Sequence, residues 1–124
     1  MNLKPVAYMV VRQYTTPYPD SIVFNEGEPV TVMDEYQDDP DWVDWVWCEG
    51  KYENAAWVPK QYLLFDGEEW RLNRYYDAME LSIHPGEKLV VYGIVNGFGN
   101  AEKPDGTQGW VPMKNLQEES GMDG

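Results

Sequence analysis

Three stretches decide the fold, because each occurs twice and in the same order. Val10-Val11-Arg12-Gln13-Tyr14 is echoed by Leu72-Asn73-Arg74-Tyr75-Tyr76. Ile22-x-Phe24-x-x-Gly27-Glu28-x-Val30-x-Val32 returns as Leu81-x-Ile83-x-x-Gly86-Glu87-x-Leu89-x-Val91. Trp57-Val58-Pro59, followed by Leu63, returns as Trp110-Val111-Pro112, followed by Leu116. Two copies of about 60 residues are too few and too long for a solenoid, so the repeat predicts two small domains in tandem. The expected boundaries are 1–66 and 67–124.

Around these blocks the signals are those of strands. Val30 and Val32 alternate with polar residues, as do Leu89 and Val91, and no stretch sustains helical periodicity. Asn96-Gly97 and Asp105-Gly106 are turn dipeptides, and Glu49-Gly50 starts a corresponding turn in the first copy. Gly27 and Gly86 each precede a strand through a tight turn. The connection Leu64-Phe65-Asp66-Gly67-Glu68-Glu69-Trp70 lacks the composition of a flexible linker. It reads as a short linker anchored by Phe65 and Trp70, across which the domains pack. The acidic C-terminal tail, Glu118 to Gly124, is expected to fray.

Domains of this size bury little of their unfolded surface, and a 15% aromatic content compensates. A net charge of −13 argues against nucleic acid and against anionic membranes. Residues 1–66 carry twelve acids and four bases, and 67–124 carry ten and five, so both halves are acidic. Solubility and a preference for cationic ligands explain that charge equally well. Cys48 stands alone and cannot form an internal disulfide, and no secretory or membrane-spanning run is visible. A cytoplasmic location is the expectation.

In these blocks the chain resembles the Src-homology-3 (SH3) family of small five-stranded β-barrels. That pattern opens with ALYDY, continues through ELSF-x-x-G-[DE] and closes with G-[FWY]-[IV]-P. Tyr76-Asp77-Ala78, Glu80-Leu81-Ser82-Ile83, Gly86-Glu87 and Gly109-Trp110-Val111-Pro112 carry the likeness in the second copy. Ile22, Phe24, Gly27-Glu28 and Trp57-Val58-Pro59-Lys60-Gln61-Tyr62-Leu63 carry it in the first. Trp-Val-Pro, with Arg12 and Arg74 in place of the first ALYDY tyrosine, is similar to the bacterial-type members. The resemblance implies an all-β fold of two tandem SH3-like β-barrels packed through a short linker.

It also implies an aromatic groove for an extended peptide, whose polyproline conformation loses little entropy on binding. In the first copy the groove would comprise Tyr14, Tyr18, Trp45, Pro59 and Tyr62. The second copy retains a weaker set, Tyr76, Phe98 and Pro112, with Asn115 where the groove tyrosine belongs. Trp45 is preferred to Trp47 because Cys48 then takes the family's buried small-residue position, as Ala101 does three residues after Phe98.

Trp42, Trp45 and Trp47 crowd beside Asp34, Glu35, Asp38, Asp39, Asp41 and Asp44, which suits a basic peptide through cation–π contact and charge pairing. The competing reading packs the rings inside and leaves the acids solvated. The acids lack the spacing of a calcium loop, Cys48 has no histidine or second cysteine nearby, and His84 sits on a turn, so no metal is expected. No nucleophile–base pair or phosphate-binding loop is recognisable, so no catalytic residue, no cofactor and no enzyme activity are expected. The expected function is a non-catalytic module binding a basic or proline-containing peptide or protein partner. The alternative is a structural or homo-oligomerising module whose aromatic surface is buried in an interface. A cell-wall-binding module is a third reading, and it requires export.

Overall fold

The computed structural model of the chain describes residues 5–35 and 44–119. The sequence readings of Asp38, Asp39, Asp41, Trp42 and the tail 120–124 lie outside the described residues, as do the side chains of Asp34 and Glu35. The fold is all-β. Its strands are β1 (Val6–Val10), β2 (Val23–Phe24), β3 (Pro29–Glu35), β4 (Trp45–Glu49), β5 (Ala55–Pro59) and β6 (Leu63–Phe65). They continue with β7 (Trp70–Leu72), β8 (Tyr76–Asp77), β9 (Lys88–Val95), β10 (Phe98–Glu102), β11 (Gln108–Pro112) and β12 (Leu116–Glu118). Two 3₁₀ turns, Lys60–Tyr62 and Met113–Asn115, are the only helical elements among the described residues.

The strands form two five-stranded antiparallel sheets, ordered β5-β4-β3-β7-β6 and β11-β10-β9-β1-β12, and a two-stranded sheet, β2-β8. None of the three closes into a barrel among the described residues. The repeat read from sequence survives in register. Cys48 lies opposite Val32 and Ala56, and Ala101 lies opposite Val91 and Gly109. Both five-stranded sheets carry an irregularity at the same place, between Val32 and Asp34 in one and between Val91 and Gly93 in the other. Residue 33 and residue 92 are therefore the extra residues of equivalent bulges, which bend the strand and tighten its twist.

The compact units, however, are not the contiguous halves 1–66 and 67–124. Residues 20–78 form one unit, and residues 1–19 with 79–124 form the other. The cause is local. Asp66-Gly67-Glu68-Glu69, expected to be a linker, is a hairpin turn. Gly67 takes φ +100°, open to glycine without Cβ strain, and the Asp66 amide donates to the Glu69 carbonyl at 3.1 Å. Asp66 Oδ1 accepts from the Glu68 and Glu69 amides at 2.9 Å each, while Oδ2 accepts from Arg71 Nε at 2.6 Å. The Glu69 amide above all, with Arg71 and the Glu68 amide, holds the Asp66 carboxyl well below the usual carboxylate range.

The turn folds β7 back along β6, pairing Leu63 with Leu72, Leu64 with Arg71 and Phe65 with Trp70. The opening strand of the second repeat thereby lies beside β3 of the first. The first repeat's own opening strand, β1, instead pairs with β9 and β12. Residues 20–78 are thus a permuted copy of the repeat, inserted into the first loop of a copy built from 1–19 and 79–124. Permutation and insertion are tolerated in small domains whose ends lie close together.

Each unit has its own core. In the contiguous unit Phe24, Leu72, Cys48 and Val58 are fully buried. Their counterparts in the split unit are Ile83, Val10, Ala101 and Val111, which cluster with Leu81, Leu89 and Val91. Burying each of the larger side chains stabilises by about 2 kcal/mol. Paired hydrogen bonds close the two units alike. The Gly27 amide donates to the Leu72 carbonyl and the Leu72 amide to the Glu28 carbonyl, and in the split unit the Gly86 amide donates to the Val10 carbonyl and the Val10 amide to the Glu87 carbonyl.

Candidate functional site

The inserted topology redistributes the expected groove residues. β4 and β5 place Trp45 directly opposite Pro59, and the following 3₁₀ turn brings in Tyr62. These three share the contiguous unit. Tyr14 and Tyr18 belong to the split unit. Their place is taken by the other arm. Tyr76, assigned from sequence to the weaker groove, stacks edge-on against Tyr62 with centroids 5.5 Å apart and planes at 77°. Its hydroxyl donates to the Trp57 carbonyl at 2.8 Å. Arg74, from the same arm, lays its guanidinium 4.2 Å from the centre of the Tyr62 ring.

The split unit mirrors this arrangement with different chemistry. Phe98 lies opposite Pro112, as Trp45 lies opposite Pro59. Tyr14, rather than Tyr76, supplies the arm. It pairs with Ile83 just as Tyr76 pairs with Phe24. Asn115, at the position of Tyr62, donates from Nδ2 to the carbonyls of Arg12 and Gln13 at 3.1 and 3.0 Å. Its Oδ1 is buried without a hydrogen-bond partner. Where the contiguous unit stacks Arg74 on a ring, the split unit ties down the arm's backbone.

Sequence reasoning missed a buried polar knot in the split unit. Tyr14 and Thr16 hydroxyls both donate to Glu80 Oε1 at 2.6 Å, and the Thr16 amide donates to Ser82 Oγ at 3.0 Å. Burial pushes the Glu80 carboxyl and the Tyr14 hydroxyl upward, the latter reinforced by its bond to Glu80. Glu80 was visible in the ELSF-like block. Its partners were not, because they lie 64 and 66 residues away.

Exposure decides what these residues can do. Trp45 is 3% exposed, Tyr62 8%, Tyr76 4% and Phe98 2%, and both prolines are buried. Tyr14 is half-buried, and only Tyr18 of the expected set is exposed. Trp47, on the same strand as Trp45, is half-buried and meets Trp57 edge-on across β4–β5 at 5.4 Å. Asp44 and Lys60 flank the end of β4 at 4.0 Å, both largely exposed, a pairing that contributes little to stability.

Burial pushes the Cys48 thiol up to about 12, which leaves almost no thiolate at neutral pH. Among the described residues, no three His, Cys, Asp or Glu side chains converge to hold a metal, and no helix is long and apolar enough to cross a membrane. Charge, by contrast, divides sharply. Residues 20–78 carry fifteen acids and four bases, a formal −11, and the rest of the chain carries seven and five. The contiguous halves had hidden this asymmetry.

The chain matches no protein-family model, no characterised protein and no solved structure.

Proposed function

We propose that this protein is a non-catalytic assembly module made of two nested SH3-like units, whose aromatic residues build the fold rather than line an open groove. The observation that carries this reading is the burial of Trp45, Tyr62, Tyr76 and Phe98. A groove binds an extended peptide by desolvating exposed rings, and rings this buried offer little surface to desolvate. The shared strand order of the two five-stranded sheets, with equivalent bulges and turns, supports the SH3-like reading of each unit. Fold likeness alone does not assign a function, so the weight rests on burial.

Titrating the labelled protein with an arginine-containing proline-rich peptide tests the proposal. The Trp45 indole resonance is expected to stay in place, and Trp45→Ala to destabilise the fold by about 3 kcal/mol or more. A saturable shift of the Trp45 indole in the folded protein would overturn it. One observation favours direct peptide binding as a second reading. The Trp47–Trp57 pair is half-buried and lies in the strongly acidic unit, a setting that suits Arg or Lys side chains.

A further inference from the structure

We infer that the β6 edge of the contiguous unit docks a basic, extended segment of a partner protein. This deepens the assembly reading by naming a surface and the chemistry of its occupant. Among the described residues β6 ends its five-stranded sheet and has β7 as its one strand neighbour there, which makes it an edge strand. The residues along it are apolar and exposed, with Leu64 at 60%, Phe65 at 51% and Trp70, across the hairpin, at 40%. Phe65 and Trp70 meet at 5.2 Å, so the edge presents a joined aromatic surface rather than scattered side chains.

The twin unit supplies an internal comparison. Its equivalent edge, β12, carries Gln117 and Glu118 where β6 carries Leu64 and Phe65. Beside it, Lys88 lies 3.7 Å from Glu119. The same strand in the same sheet order therefore forms with polar residues, and the fold does not require apolar ones at these positions. Bare apolar edges favour aggregation and are ordinarily blunted by charge. The apolar β6 edge calls for an occupant.

Charge selects which one. The unit bearing β6 has a formal −11, against −2 for the rest of the chain. At the hairpin, Asp66 and Glu69 are both held by Arg71, at 2.6 and 2.8 Å, while Glu68 is exposed. A second copy would bring one strongly acidic unit against another, and like-charge juxtaposition is costly. A basic strand meets no such penalty. It can pair its backbone with β6, lay apolar side chains on Phe65 and Trp70, and place Lys or Arg beside Glu68 or over the Trp70 ring.

The test uses the full chain and a short labelled peptide of alternating valine and lysine, with a glutamate-for-lysine version as control. Anisotropy is expected to saturate with the lysine peptide only, and amide shifts to concentrate at residues 63–65 and the Trp70 indole. L64Q/F65E gives β6 the residues of its twin edge, and is expected to weaken binding at least about tenfold in protein whose amide dispersion shows it still folded. Leu64→Lys, a single exposed change, is expected to weaken it in the same direction. Unchanged affinity in these variants, or equal binding of the glutamate peptide, overturns the inference. So does a concentration-dependent dimer, seen by sedimentation without peptide and lost in L64Q/F65E, because the occupant would then be a second copy. Failure here is read at β6 and failure of the assembly reading at Trp45, so one spectrum separates the two.

Discussion

Phe65 lies directly opposite Trp70 across the Asp66-Gly67-Glu68-Glu69 turn, with ring centroids 5.2 Å apart and planes tilted by 54°. The two residues that looked like anchors of a linker are cross-strand partners in one sheet. Everything unexpected in the topology follows from that pairing. Once β7 returns along β6, the second repeat's arm belongs to the first repeat's strands. The first arm is then left to complete the second repeat.

Fragments cut at different places should therefore behave very differently. Residues 20–78 hold a complete five-stranded sheet and the β2–β8 pair, and are expected to fold alone into a marginally stable domain. Residues 1–66 lack Leu72 and Tyr76, and are expected to remain unfolded or to aggregate through the uncovered edge of β3. Amide dispersion in NMR spectra of the two fragments checks this. A well-dispersed spectrum for 1–66 would show that the first arm can serve its own repeat.

The turn itself is open to a graded test. A Cβ at Gly67 would meet nothing within 4 Å, so the cost of Gly67→Ala lies in the backbone at φ +100° and not in a clash. The expected loss is about 1 kcal/mol. Equilibrium denaturation should show it in the contiguous unit. A neutral result would mean that the turn can relax to negative φ at no cost.

Much of this fold was legible because strand register obeys local rules. The block repeat, the glycine turns before β3 and β9, and the buried register of Cys48 and Ala101 all follow from alternation and turn chemistry within a few residues. The pairing of arms is different in kind. It depends on whether seven residues between repeats cross over or turn back, and Asp66-Gly67 is a turn dipeptide of the same type as Asp105-Gly106. The signal was present, but the boundary of the repeat drew it toward a linker reading. The unit to which each expected groove residue belongs turns on the same pairing. Trp45, Pro59 and Tyr62 are close in sequence and stay together, while their arm residue depends on the topology. Alternation left both readings of Trp45 open, exposed or packed inside, since it fixes a face and not what covers it.

Cys48 offers a probe of the contiguous unit alone. It is fully buried, paired between Val32 and Ala56, and its thiol is pushed up to about 12. Native protein is expected to react with a disulfide reagent orders of magnitude more slowly than unfolded chain. Reaction should then track the opening of residues 20–78. Gly67→Ala should raise the rate about fivefold if its full cost is felt there. Fast labelling of the native protein would place Cys48 outside the core.

The last expectation concerns Glu80 and pH. Its carboxyl is raised chiefly by burial, with the hydroxyl bonds from Thr16 and Tyr14 opposing that rise. Raised in the fold above the ordinary glutamate value of 4.5, it binds more protons folded than unfolded across the interval between the two. Its contribution to stability is thus fully present below the unfolded value and is lost as pH rises through the folded one. At neutral pH the buried charge is a net cost, only partly offset by two 2.6 Å hydrogen bonds to one oxygen. Glu80→Gln keeps an oxygen acceptor for Tyr14 and Thr16 and removes the charge. It is expected to melt close to the parent at acidic pH and a few degrees above it at neutral pH, with the gap widening as pH rises. Taking the difference between the two proteins cancels the common effect of the remaining acidic side chains. A gap that stays constant with pH, or one that reverses and favours the parent at neutral pH, would show that the two hydroxyl bonds outweigh desolvation and that the carboxylate is the preferred form in the fold.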